Sequence, residues 1–103
     1  MKKTKTSKQI ERHTKGISNH RRIDILAFIA ENDEMTVEDI AEALKCNIKT
    51  ISGHTLKLAH SGLVNKKYRG RKVLHSLSPY GKIFHGFLLT FSHSWEYENV
   101  DFR

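Results

Sequence analysis

The segment 37–77 constrains the fold most, because its apolar period changes from about 3.6 to about 2 within one short stretch. Just before it, Thr36 stands three residues ahead of Asp39, a helix-capping pattern, with Glu38 in the first turn. Ile40, Ala41 and Leu44 then line one face of a short helix. Lys45-Cys46-Asn47 reads as a tight turn, and Asn47 is a good N-cap for a second helix over 47–61. Ile48, Ile51, Thr55 and Leu58 fall at i, i+3, i+7 and i+10, the expected inward stripe, and Leu56 can supplement the small Thr55. Ser61-Gly62 ends that helix. Beyond it, 63–68 and 73–77 read as strands joined by Arg69-Gly70-Arg71-Lys72, where Gly70 is free to take a positive φ.

The flanking sequence is helical. A first helix is expected over about 8–15, with Ile10 and Ile17 as its apolar anchors. Ser18-Asn19 caps a helix over about 19–31. Its apolar residues Ile23, Ile25, Leu26, Phe28, Ile29 and Ala30 nearly surround the axis, which predicts a central helix buried on more than one side. Ser78-Pro79 opens a last helix, with Pro79 at its first position and Tyr80, Ile83, Phe84, Phe87, Leu88, Phe91 and Trp95 recurring at spacings of three and four. The order α-α-α-α-β-β-α is mainly α with a small β-hairpin: a winged helix-turn-helix. The expected division is a disordered basic tail over 1–7, the winged domain over 8–95 and an acidic tail over 96–103.

A chain of 103 residues is sized for one domain. Its charge is unevenly placed. The net charge is +7, yet residues 31–42 hold six acids and no Lys or Arg, while residues 43–95 hold nine Lys/Arg and no acid. A solvated surface usually mixes signs, so a long carboxylate-free basic stretch that coincides with the second helix and the hairpin points to a polyanionic partner. No apolar run approaches the roughly 20 residues needed to cross a bilayer. The basic N-terminus has no apolar stretch behind it, unlike a secretory signal. The single cysteine, Cys46, excludes an intrachain disulfide, and a cytoplasmic location is expected.

These features make double-stranded DNA the expected partner. Asn47, Lys49, Thr50, Gly53, His54 and Lys57 lie off the apolar stripe of the 47–61 helix, whose N-terminal half should enter the major groove, with Ser52 and the first amides suited to phosphate. Arg69 and Arg71 flank the hairpin tip, placed for minor-groove or phosphate contact, and Lys66, Lys67 and Lys72 add charge on the strands leading to it. A solvated helix face and a lysine-protected edge hairpin explain these residues less well, since five cations fall within seven positions. Phe84, Phe87, Phe91 and Trp95 give the last helix more aromatic surface than a terminal helix needs. With Ile10 they are the expected homodimer interface, which would supply a second DNA half-site. No Ser/His/Asp set, phosphate-binding Gly-rich loop or paired-carboxylate site is evident, so the chain reads as a non-enzyme that needs no cofactor.

Ser18-Asn19-His20-Arg21-Arg22-Ile23-Asp24-Ile25-Leu26 resembles the "S-N-x-x-R-x-x-I-L" entry into the central helix of ArsR-type repressors. Ile51-Ser52-Gly53-His54, followed by Leu58 and Ser61-Gly62-Leu63-Val64, is similar to that family's "V-S-x-H-L-x-x-L-x-x-A-G-L-V". Lys66 to Leu77 resembles its wing, "R-R-x-x-G-R-x-x-x-Y-x-L". The sequence departs from the family at Thr55, where Leu is usual, and at Gly53, where a long polar residue is common. The resemblance implies a homodimeric repressor on a palindromic operator. Many relatives of this type sense metals. The soft-metal Cys-x-Cys motif that the resemblance would place before the turn is missing, and His85, His93 and Glu96 are the only candidates for the second kind of site, without their upstream partner. No metal is therefore expected. A metal-responsive repressor, and a winged-helix protein- or RNA-interaction module, are the alternative readings.

Overall fold

Local signals in the sequence set most of the helix boundaries in the computed structural model, which describes residues 4–94. Helix α1 (Ser7–Ile17) starts from a capping box between Thr6 and Gln9. Helix α2 (His20–Glu31) starts where the Asn19 side chain accepts from the amides of Arg21 and Arg22. Helix α3 (Val37–Leu44) has the expected Thr36–Asp39 capping box and ends at Lys45, which takes a left-handed conformation at φ 54°. That left-handed residue turns the chain into helix α4 (Ile48–His60), capped by Asn47. Strands β1 (Val64–Arg69) and β2 (Lys72–Leu77) form an antiparallel hairpin in which Arg69 pairs with Lys72 and Val64 with Leu77. Gly70, at φ 63°, makes that two-residue turn possible. Helix α5 (Pro79–Ser92) is capped by the Ser78 hydroxyl. The architecture is the expected winged helix-turn-helix.

Helix α2 is central and packs against the other four helices and β2. Its Ile25, Leu26 and Ile29 are fully buried with Ile40 of α3, Ile51 and Leu58 of α4, and Leu63. Each such side chain stabilises the fold by about 1.5–3 kcal/mol relative to exposure. Thr55 is also fully buried, its hydroxyl satisfied by the Ser52 carbonyl at 3.0 Å. The expected stripe of α4 is thus Ile51, Thr55 and Leu58, whereas Ile48 is 53% exposed. Ile48 belongs to the first turn and lines an open groove shared with the start of α3 and the hairpin. Leu56 is exposed and does not supplement Thr55. Nor is Ile10 an intramolecular anchor of α1, being 51% exposed; His13, Gly16 and Ile17 are the buried residues. Ile23 also faces outward. The first helix runs further in both directions than 8–15, because its cap at Thr6 and its packing at Ile17 lie outside that window.

The hairpin is fastened to the body by an added bridge. Met35 and His75 exchange both backbone hydrogen bonds, at 3.3 and 2.8 Å, and the His75 ring donates from Nδ1 to the Met35 carbonyl at 2.8 Å. The approach to α3 therefore acts as a short third strand beside β2.

Candidate nucleic-acid interface

The outward side of α4 is built by its cap and its stripe together. Asn47 orients the first turn by accepting from the amides of Lys49 (2.7 Å) and Thr50 (3.4 Å). With Ile51, Thr55 and Leu58 committed to the core, Lys49, Thr50, Ser52, Gly53 and Lys57 are left exposed. A Cβ placed on Gly53 would meet nothing within 4 Å, so the lack of a side chain there answers no need of the folded monomer.

The hairpin tip stands beside the first turn of α4. Arg71 and Lys72 line one groove with Ile48 and Ser52, and its far wall is the start of α3, including Glu38 and Asp39. The Asp39 carboxyl sits below the usual carboxylate range, chiefly through hydrogen bonds from the backbone and side chain of Thr36, with Lys72 adding to the effect. The structure thus brings the start of α4 and the wing tip together, but with two carboxylates at their back. The wing cations are not equivalent. Lys67 and Arg69 reach Glu34, at 3.9 and 3.4 Å, from a turn where Glu34 itself has φ 61°. Lys66 is half-buried, while Arg71 and Lys72 are exposed and form no ion pair among the described residues.

His54 is less exposed than its place off the apolar stripe suggests. It is half-buried and its Nδ1 accepts from Arg22 Nη1 at 3.3 Å. Burial first, then the charges of Arg22, Lys57, Arg21 and His20, hold its pKa below that of an ordinary imidazole. It presents a neutral ring beside the interface. Arg22 is itself buried, donating to the Gly16 carbonyl at 2.6 Å and the Lys15 carbonyl at 3.4 Å. In the sequence Arg22 stands out only as part of a motif. The signal for its burial is its place in the first turn of the helix whose apolar residues nearly surround the axis.

Of the residues expected at a dimer interface, Ile10, Phe87 and Phe91 are exposed, the last two stacked at 6.0 Å. Phe84 instead is half-buried against the core, its ring 6.3 Å from His13. Trp95 lies outside the described residues. Of the candidate metal ligands, His85 is half-buried, His93 caps the end of α5 and Glu96 lies outside the described residues. Among the described residues no three His, Cys, Asp or Glu side chains come close enough to hold a metal ion, and no helix is long and apolar enough to cross a membrane.

The family model described as HVO_A0114 matches residues 17–84, from the end of α1 into α5. The chain belongs to this family. Transcriptional activator HlyU of Vibrio cholerae is 31% identical over 64 residues, covering 62% of this chain and 58% of that relative. The structure of reduced HlyU from the same organism superposes with a TM-score of 0.73 at 26% identity, covering 82% of this chain and 90% of that one. A homodimeric winged helix-turn-helix DNA-binding domain from Mycobacterium bovis, Mb0332, described as a possible ArsR-family regulator, gives 0.78 at 22% identity with both chains fully covered. The fold is therefore that of ArsR-type winged-helix regulators, in agreement with the motif resemblance. These relatives carry the names of transcriptional regulators rather than enzymes.

Proposed function

We propose that this chain is a sequence-specific regulator of transcription that binds double-stranded DNA as a homodimer, with the first turns of α4 in the major groove and the wing on the adjacent backbone or minor groove. The carrying observation is the exposed face of α4, which has no carboxylate of its own and is flanked by Arg71 and Lys72 at the wing tip. Lys49 and Thr50, at the capped start of the helix, read base edges. Asn47, Ser52, Gly53 and Lys57 lie along the same approach. Arg69, Arg71, Lys66, Lys67 and Lys72 meet phosphates, which carry affinity rather than sequence information. His54 supports the helix rather than the DNA.

The dimer reading rests on α5. Tyr80, Ile83, Phe87 and Phe91 are all exposed, and their spacing keeps them within about 80° of one another around the helix axis. They form an apolar face whose occupant is a second copy of this chain, and Ile10 of α1, also exposed, is assigned to the same interface. A Mycobacterium bovis domain of the same fold is homodimeric. Occupying a promoter element in this way represses where the site overlaps polymerase. The matched Vibrio relative is an activator by name, so the operator's position sets the sign.

Selection from a random duplex pool at two salt concentrations tests this reading. Enrichment of an inverted repeat with half-sites about one helical turn, roughly 34 Å, apart is expected. Arg71→Ala should weaken binding to all duplexes alike, while Lys49→Ala should change the preferred sequence. Absence of salt-sensitive duplex binding would overturn the proposal.

A further inference from the structure

A second cationic surface lies at the opposite end of α4 from the wing. A cleft of about 430 Å³ opens between α1, the start of α2 and the last turns of α4, lined by Arg12, Lys15, Arg22, Lys57 and His60. No carboxylate lines it. Arg12 is fixed by donating from Nε and Nη2 to the His60 carbonyl, at 3.0 and 2.7 Å. Arg22 is 8% exposed, and its partners are the Gly16 and Lys15 carbonyls and the neutral ring of His54. Neither arginine, nor Lys57, forms an ion pair among the described residues. Only Lys15 has a carboxylate, that of Glu11 one turn away at 3.6 Å, in an exposed pair.

A buried guanidinium held by carbonyls keeps its full charge. Buried charges are normally paired, because an uncompensated one is costly. Here two arginines fixed in position and two lysines line one opening, and the one protein anion beside them is Glu11, in an exposed pair with Lys15. Planar, fixed guanidinium forks beside mobile ammonium groups suit a tetrahedral oxyanion with several acceptor oxygens.

We propose that this cleft is a phosphate site, and that it seats a backbone phosphate of the duplex on the side of α4 away from the wing. The source of the phosphate rests on the DNA-binding reading above; the site itself does not. Lys49, Gly53 and Lys57 follow one another at i, i+4 and i+8, so a line of helix surface leads from the base-reading turn to the cleft. Ile48, at the wing groove, and His60, at the cleft, are separated by about 18 Å of helix. The major groove is about 12 Å wide, so both ends of α4 come within reach of its bordering strands. The wing holds one strand and the cleft holds the other.

Two titrations of the full-length chain test the proposal. In the first, inorganic phosphate is compared with chloride at equal ionic strength, and the ring resonances of His60 and His54 are followed. Saturable shifts with phosphate alone are expected, abolished in a Lys15→Gln/Lys57→Gln double variant and retained in Lys82→Gln, whose lysine lies on α5. Glu11→Gln should tighten phosphate binding by releasing Lys15. In the second, affinity for a short duplex is measured against salt, and the double variant should flatten the log–log slope by about 0.9 for each phosphate it no longer neutralises. The substituted lysines are exposed, so an unchanged melting temperature verifies the fold. Phosphate binding with an altered slope supports both the site and its source. Phosphate binding with an unaltered slope, or with no duplex binding at all, supports the site and assigns it to a free phosphorylated ligand. Duplex binding by the wild-type chain with neither phosphate shifts nor a change of slope overturns the proposal and leaves the regulator reading standing.

Discussion

Replacing Gly53 separates what α4 needs to fold from what it needs to bind. Glycine in a helix interior is less favourable than alanine by about 0.8–1.0 kcal/mol, through backbone entropy. The gain from Gly53→Ala is realised only if the new methyl meets no obstacle, and a Cβ there has nothing within 4 Å. Helix α4 runs five residues before Gly53 and seven beyond it, so this is an interior position. The substitution should therefore stabilise the domain by about 1 kcal/mol. For a domain of this size that raises the melting temperature by about 4 °C or slightly more. Thermal unfolding followed by far-ultraviolet circular dichroism measures it. Gly53→Arg should give a similar stability gain and add a cation between Lys49 and Lys57. Duplex affinity should then rise at low salt, with the log–log salt slope steeper by about 0.9. A melting temperature unchanged or lowered in Gly53→Ala would refute the open environment assigned to this face. Normal stabilisation with duplex binding abolished in both variants would show that the bare backbone itself approaches the DNA.

Two further predictions concern the wing. His75 is fully buried, its Nδ1–H used by Met35 and its Nε2 without a partner, so protonation would bury an unsatisfied N–H. Burial accordingly lowers its pKa, against the opposing pull of the Met35 hydrogen bond. The folded state then binds fewer protons than the unfolded one. Stability contributed by neutral His75 is complete above the unfolded value of about 6.5 and is lost as pH falls below it. The melting temperature should drop between pH 7.5 and 5 more steeply in the wild-type chain than in His75→Asn, which retains a donor for Met35 without titrating. An imidazole pKa for His75 at or above 6.5 by NMR would contradict this. Glu34→Gln removes the carboxylate that holds Lys67 and Arg69, an exposed arrangement of little worth to stability. Duplex affinity should rise several-fold at low salt while the melting temperature moves little; unchanged affinity would mean that these two cations do not face the DNA.

How much the sequence discloses depends on the range of the interaction. The caps at Asn19, Thr36, Asn47 and Ser78 are legible because each is closed within three residues of the chain. The hairpin is legible because Gly70 fixes its turn and the turn fixes its register. The inward face of α4 is legible at Ile51 and Leu58 but not at Ile48, since periodicity gives a direction around the axis without saying where along it a neighbour closes over the helix. Least legible are the polar side chains that become structural. His13 and His75 are buried by partners reached only through the fold, such as the Ser61 carbonyl 48 residues from His13 and the Met35 carbonyl 40 residues from His75. The Glu34 ion pairs with the wing are hidden for the same reason, at a separation of 35 residues from Arg69.

Those long-range bonds share a purpose that bears on DNA binding. A helix leaves its last carbonyls without intrahelical partners. At the end of α4 the His60 carbonyl accepts from Arg12, the Ser61 carbonyl from His13 at 2.6 Å, and the Gly62 carbonyl from the Ser78 hydroxyl at 2.6 Å. Two of the three donors belong to α1. Gly16 of α1 also lies so close to Ser61 that a Cβ there would collide with the serine side chain. Helix α1 is therefore locked to the trailing end of α4 by hydrogen bonds and by close approach. It also carries Ile10, exposed on the face assigned to the second copy. The packing of α1 in the proposed dimer is thus transmitted to α4 through two side chains and one glycine, with no loop between. In the proposed dimer the separation of the two α4 helices, and with it the half-site spacing, would follow from the pose of α1 rather than from flexibility in the helix-turn-helix.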